Sequence, residues 1–118
     1  MHSFYNAFSG LGYALKTQRN LRLHFLALFF VIVLGIWLKL LRFEWAMIFI
    51  CSGAVITAEM FNTSLEKLMD HLHPSKHDAI KRAKDLAAAA VLILAVFSII
   101  VAYFIFWERL KNKLGIGI

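Results

Sequence analysis

Glu59, Asn62, Glu66 and Asp70 follow one another at spacings of three, four and four residues. On an α-helix that spacing puts all four on one face, as a polar stripe about 16 Å long at 1.5 Å per residue. Carboxylates in a row can hold a hard divalent cation or take a proton from a hydroxyl. Lys81, Arg82, Lys84 and Asp85 come after one short connection. Lysines placed there can meet phosphate while the facing carboxylates hold Mg²⁺, which prefers carboxylate, water and phosphate oxygens to an all-protein cage. Together these are the minimum parts for phosphoryl transfer: a metal site, a cation to neutralise charge and a base for a hydroxyl proton.

Blander readings compete with this one. Glu59 closes an apolar run, and a carboxylate at that depth costs about 2.5–3.5 kcal/mol at mid-bilayer and less near the interface. It could be an interhelical hydrogen bond that holds a bundle together, although one anchoring bond does not need three carboxylates in line. The lysines could be juxtamembrane charge meeting anionic headgroups. His71, His73 and His77 straddle Pro74 and so share no helix face, which favours loop histidines over a metal cluster. The chain has no G-x-x-x-x-G-K-[ST] phosphate loop and no protein-kinase signature set, so an ATP site must be built differently.

The elements that must position these residues are set by composition. Of the 118 residues 61% are hydrophobic and only 17% charged, with a mean hydropathy of +0.72. That is too apolar for an ordinary soluble domain. One Pro and six Gly leave little material for turns, so long helices with short connections are expected and nothing reads as a β-barrel. The net charge of +6 lies in residues that flank apolar runs. No basic domain is formed, which argues for headgroups and polyphosphates as counter-charges and against nucleic acid. Cys51 is the single cysteine and lies in an apolar run. It excludes an intramolecular disulfide and reads as a small core residue. No removable signal peptide is apparent at the N-terminus.

The expected architecture is an all-α membrane protein, one domain over residues 1–118, with an N-terminal amphipathic surface helix and three transmembrane helices. Phe4, Tyr5, Phe8, Leu11 and Leu15 recur at helical spacing, so 4–20 is expected to lie on a membrane surface. The first span covers 21–41, close to the ~20 residues that a bilayer core requires. Lys39, Arg42 and Glu44 form a short polar connection beside Trp37 and Trp45, indoles suited to the membrane interface. The second span starts at 43 and extends as an aqueous helix to 72. His73-Pro74 breaks it, and Ser75 with Asp78 has the spacing of a capping box, so a helix is expected from Lys76. Its charged first turns lead into the third span, ending at 107, with a tail over 108–118. The Ala87–Ala90 cluster would let another helix approach closely. Eight Lys and Arg lie before the first span and between the second and third, against five on the other side. The positive-inside rule then puts the N-terminus in the cytoplasm.

Ala58–Asp70 (A-E-M-F-N-T-S-L-E-K-L-M-D), H-P-S-K-H after it and Arg82–Leu92 (R-A-K-D-L-A-A-A-A-V-L) resemble the prokaryotic diacylglycerol kinase/undecaprenol kinase family. The pattern E-x-x-N-x-x-x-E-x-x-x-D…A-K-D is specific at this spacing, and Thr17–His24 resembles the family's entry to its first span. The resemblance implies a homotrimer in the bacterial cytoplasmic membrane that uses Mg²⁺ and ATP to phosphorylate a membrane lipid alcohol. It implies Glu59 as general base, Glu66 as metal ligand with Asn62 as its polar neighbour, and His77, Lys84 and Asp85 at the nucleotide. Gln18 departs from the pattern, since a metal-binding Glu usually stands there. Gln keeps a carbonyl oxygen and loses the charge, which weakens the expected metal site or leaves Gln18 facing solvent. A non-catalytic lipid-binding or assembly protein with the same fold is the other function class. The H-P after the stripe and the T-x-R-N segment look more like undecaprenol kinases than like diacylglycerol kinases.

Overall fold

The computed structural model describes residues 2–73 and 77–115 and contains four helices: α1 (His2–Thr17), α2 (Arg19–Leu38), α3 (Arg42–Leu72) and α4 (Asp78–Leu114). The last three are each long and apolar enough to cross a membrane. At 1.5 Å per residue, the 31 residues of α3 and 37 of α4 exceed a hydrocarbon core of about 30 Å. Both therefore project beyond one. α4 packs chiefly along α3.

The turns explain where the helices stop. Gln18 adopts an extended conformation between α1 and α2, so the segment expected to be helical over 4–20 breaks there instead. Arg22 fixes the corner: its Nη1 donates to the carbonyls of Leu15 and Lys16 at 2.8 and 3.0 Å, satisfying acceptors that a helix end leaves orphaned. At the far end of α2, Lys39 is left-handed with φ 56°. The amides of Lys39 and Leu40 donate back to Ile36 and Gly35, the pairing that closes a helix with a left-handed residue. α2 thus ends at Leu38, short of the expected 41.

The best-packed part of the protein lies beside this turn. Leu38, Leu40 and Ile48 are buried, with Val31, Trp45, Ile105, Phe106 and Leu110 against them. Glu44 clasps the same region: its Oε1 accepts from the Leu41 amide at 2.8 Å, and both its oxygens accept from Arg109 Nε at 2.9 and 3.0 Å. Lys113 sits 5.0 Å from the Trp37 ring centroid and donates to the Trp37 carbonyl. These ties, with the Glu108–Lys111 pair one turn apart, explain why α4 continues to Leu114 where a tail was expected from 108.

At the opposite end, α4 starts at Asp78. Its N-cap is His77, whose Nδ1 accepts from the Ala79 amide at 3.3 Å; Ser75 and Lys76 lie outside the described residues. No residue of α4 is fully buried, and Ala88–Ala90 are exposed. Cys51 is half-buried, and its carbonyl accepts from Ser98 Oγ.

Candidate functional site

The chemistry-bearing residues collect at the end of the bundle away from the packed core. α3 carries the stripe there because its buried positions, Ile48, Val55 and Glu59, recur at seven and four residues and turn one face inward. Among the described residues Glu59 is the one buried charged side chain, with 7% of its surface exposed. Among the described residues no hydrogen-bond partner is present for its carboxylate. An apolar crevice of roughly 260 Å³ between α2, α3 and α4 reaches Val55 and Ile56, the turn of α3 immediately before Glu59.

One turn further, Asn62 Nδ2 donates to Glu66 Oε1 at 3.0 Å, while Asn62 Oδ1 is buried without a partner. A buried carbonyl oxygen lacking a donor is costly in protein alone. Next to a carboxylate it suits an oxygen-seeking cation, so Asn62 and Glu66 fit a Mg²⁺ that completes its shell with water and phosphate. They are two ligands and not a cage, and the described residues contain no group of three or more His, Cys, Asp or Glu suited to a metal.

Gln18 is not joined to Glu66. Its amide nitrogen donates to Thr17 Oγ1 at 3.3 Å. The end of α1 nonetheless approaches this region, because Lys67 Nζ lies 5.3 Å from the Tyr13 ring centroid and Ala14 is buried. Gln18 follows just over one helical turn after Tyr13, at the corner that Arg22 holds.

Asp70, at the foot of the stripe, forms an ion pair with Lys84 across the α3–α4 connection. Asp85 accepts from Lys81 Nζ at 2.8 Å, a contact that holds the exposed Lys81 ammonium above its ordinary pKa through hydrogen bond and charge. His77 caps α4, with its ring centroid 6.1 Å from that of His73. The fold thus places Glu59, Asn62 and Glu66 on one face of α3 with Lys84 drawn to its foot. Among the described residues no hydrogen bond or ion pair joins Gln18, Asp85 or His77 to that face.

The structure gives two residues at this end contacts that the sequence did not assign. Arg22 closes the α1–α2 corner, and Asp70 engages Lys84. Asp70 was visible through its spacing from Glu66; Arg22 carried no periodic signal.

Residues 5–106 match the family model of prokaryotic diacylglycerol kinase. The chain belongs to that family. Among its relatives are the undecaprenol kinase of Bacillus subtilis, 35% identical over 92% of this chain and 88% of the relative, and a diacylglycerol kinase of Synechocystis, 39% identical over 84% of this chain and 57% of the relative. The diacylglycerol kinase of Escherichia coli K12 is 25% identical over 87% of this chain and 84% of the relative. The prokaryotic diacylglycerol kinase family is one of lipid kinases.

Proposed function

We propose that this protein transfers the γ-phosphate of ATP, with Mg²⁺, to the hydroxyl of a membrane lipid at the cytoplasmic face of a bacterial membrane. The single observation that carries the reading is Glu59, buried on α3 one turn past the last residues lining an apolar crevice, with Asn62 one turn and Glu66 two turns further on. A lipid alcohol is a hydrocarbon that ends in a hydroxyl, and an apolar crevice with a carboxylate one turn beyond it suits such a molecule. Glu59 takes the hydroxyl proton as the lipid oxygen bonds to the γ-phosphorus, and the bond from that phosphorus to the β-phosphate oxygen breaks to release ADP. Bound Mg²⁺ would neutralise charge on the phosphates. Glu66 and Asn62 would hold it, with Gln18 contributing a carbonyl oxygen. Lys84 meets the phosphates, and His77 and Asp85 border the nucleotide.

The exposed Phe4, Tyr5 and Phe8 of α1 support a helix lying on the membrane surface. An α4 without a buried residue supports packing against other copies of the chain, as a homotrimer. The basic residues at the Lys81–Lys84 end support its placement in the cytoplasm. Undecaprenol is the acceptor favoured over diacylglycerol, on the likeness to an undecaprenol kinase along nearly the whole chain. The deciding experiment gives the purified protein labelled ATP with each lipid in the same detergent. Transfer of label to undecaprenol at the higher kcat/KM supports the full reading. Transfer only to diacylglycerol corrects the substrate, and transfer to no lipid by a folded protein leaves a non-catalytic lipid-binding assembly.

A further inference from the structure

Asp70 is the member of the polar stripe that the proposed reaction does not use. It lies four residues beyond Glu66, about 6 Å further along the same face of α3, and it is paired with Lys84 of α4. Among the described residues, two ion pairs join α3 to α4. Glu44–Arg109 ties the far end within the packed core, with side chains 13% and 26% exposed. Asp70–Lys84 ties the site end, where Asp70 is 64% exposed. So exposed a pair contributes little to stability, so holding the bundle together is a poor account of it.

Its geometric effect is larger. A lysine is a compact charge on a flexible four-carbon stem, with three N–H donors and no preferred direction. Left alone, the Lys84 ammonium would sample a wide volume. Asp70 takes one donor and holds the other two about one turn from Glu66, the residue assigned to the metal that accompanies phosphate. Lys81 and Asp85 satisfy each other on the neighbouring turn, so neither competes for this contact.

We propose that Asp70 is a positioning residue that fixes the Lys84 ammonium beside Glu66 so that it meets the polyphosphate of the nucleotide. The inference rests on the kinase reading above and deepens it. The acceptor lipid enters from the apolar side of Glu59, so the effect belongs to ATP alone.

The test compares Asp70→Asn, Asp70→Glu, Lys84→Met and the double variant Asp70→Asn/Lys84→Met in the purified full-length protein. Apparent KM for ATP, KM for lipid and kcat are measured for each, with the detergent unfolding midpoint as a check on folding. Asp70→Asn raises the KM for ATP by about 5–10-fold, in the range of contacting-pair couplings, with the KM for lipid unchanged. Asp70→Glu, which keeps the charge on a longer arm, recovers most of the loss. In the Lys84→Met background Asp70→Asn adds nothing, because the group it aims is gone. A KM for ATP unchanged or lowered in Asp70→Asn, or a loss that multiplies with that of Lys84→Met, overturns the proposal while leaving Lys84 its role. Lys84→Met without effect on ATP removes that role and the proposal together.

Discussion

Replacement of Glu59 by Gln isolates the chemical step from the fold. The amide has nearly the shape of the carboxylate, and no hydrogen-bond partner of Glu59 is lost among the described residues. Taking a charge out of a site that is only 7% exposed lowers the desolvation cost, so the unfolding midpoint in detergent should hold or rise. Turnover should not hold. A general base contributes about 10²–10⁴-fold, or about 2.7–5.5 kcal/mol at 1.36 kcal/mol per decade. Burial closes off bulk water as a substitute acceptor, which places the expected loss in the upper half of that range, about 10³-fold or more. Glu59→Asp keeps the charge and retracts it by one carbon–carbon bond, about 1.5 Å. Misplacement on that scale costs about 10²-fold, so activity falls in the order Glu, Asp, Gln. The assay is the initial rate of γ-phosphate transfer at saturating ATP and lipid, with oligomer size checked by size exclusion. A folded Glu59→Gln within about tenfold of the parent rate, or an Asp variant slower than Gln, would refute the assignment of the base to Glu59.

Other perturbations separate metal, clasp and packing. Gln18→Glu should lower the Mg²⁺ concentration for half-maximal activity and Gln18→Ala should raise it, since a hard cation gains from added charge; three superimposed titrations remove Gln18 from the metal site. Glu44→Ala strips the Leu41 amide and Arg109 of their acceptor and should cost about 1.5–3 kcal/mol of stability, with specific activity per folded molecule unchanged because the clasp is at the far end from Glu59. In Gly35→Ala the new Cβ would lie 2.6 Å from Trp45 Cη2 and 3.0 Å from Leu40 Cδ1. Overpacking of about 1–3 kcal/mol, less about 1 kcal/mol of helix propensity, leaves a destabilisation of up to about 2 kcal/mol in denaturant titration, and a more stable variant would show that Trp45 yields freely.

The sequence by itself determined the parts of this protein that depend on local geometry. Long apolar runs name the three helices because unpaired backbone cannot remain in hydrocarbon, and the 59–62–66–70 spacing puts one polar face on α3 because residues three and four apart share a side of any helix. Only the tertiary structure decided that Lys84 turns to Asp70 while Lys81 takes Asp85, that Arg22 closes the corner at Gln18, and that Glu44 reaches Arg109, 65 residues away. Each of these contacts joins two helices or two sides of a turn. It depends on how far one helix is rotated and slid against the next, which is fixed by the packing of Gly35, Leu40, Trp45 and Ile48 and not by any period in the chain.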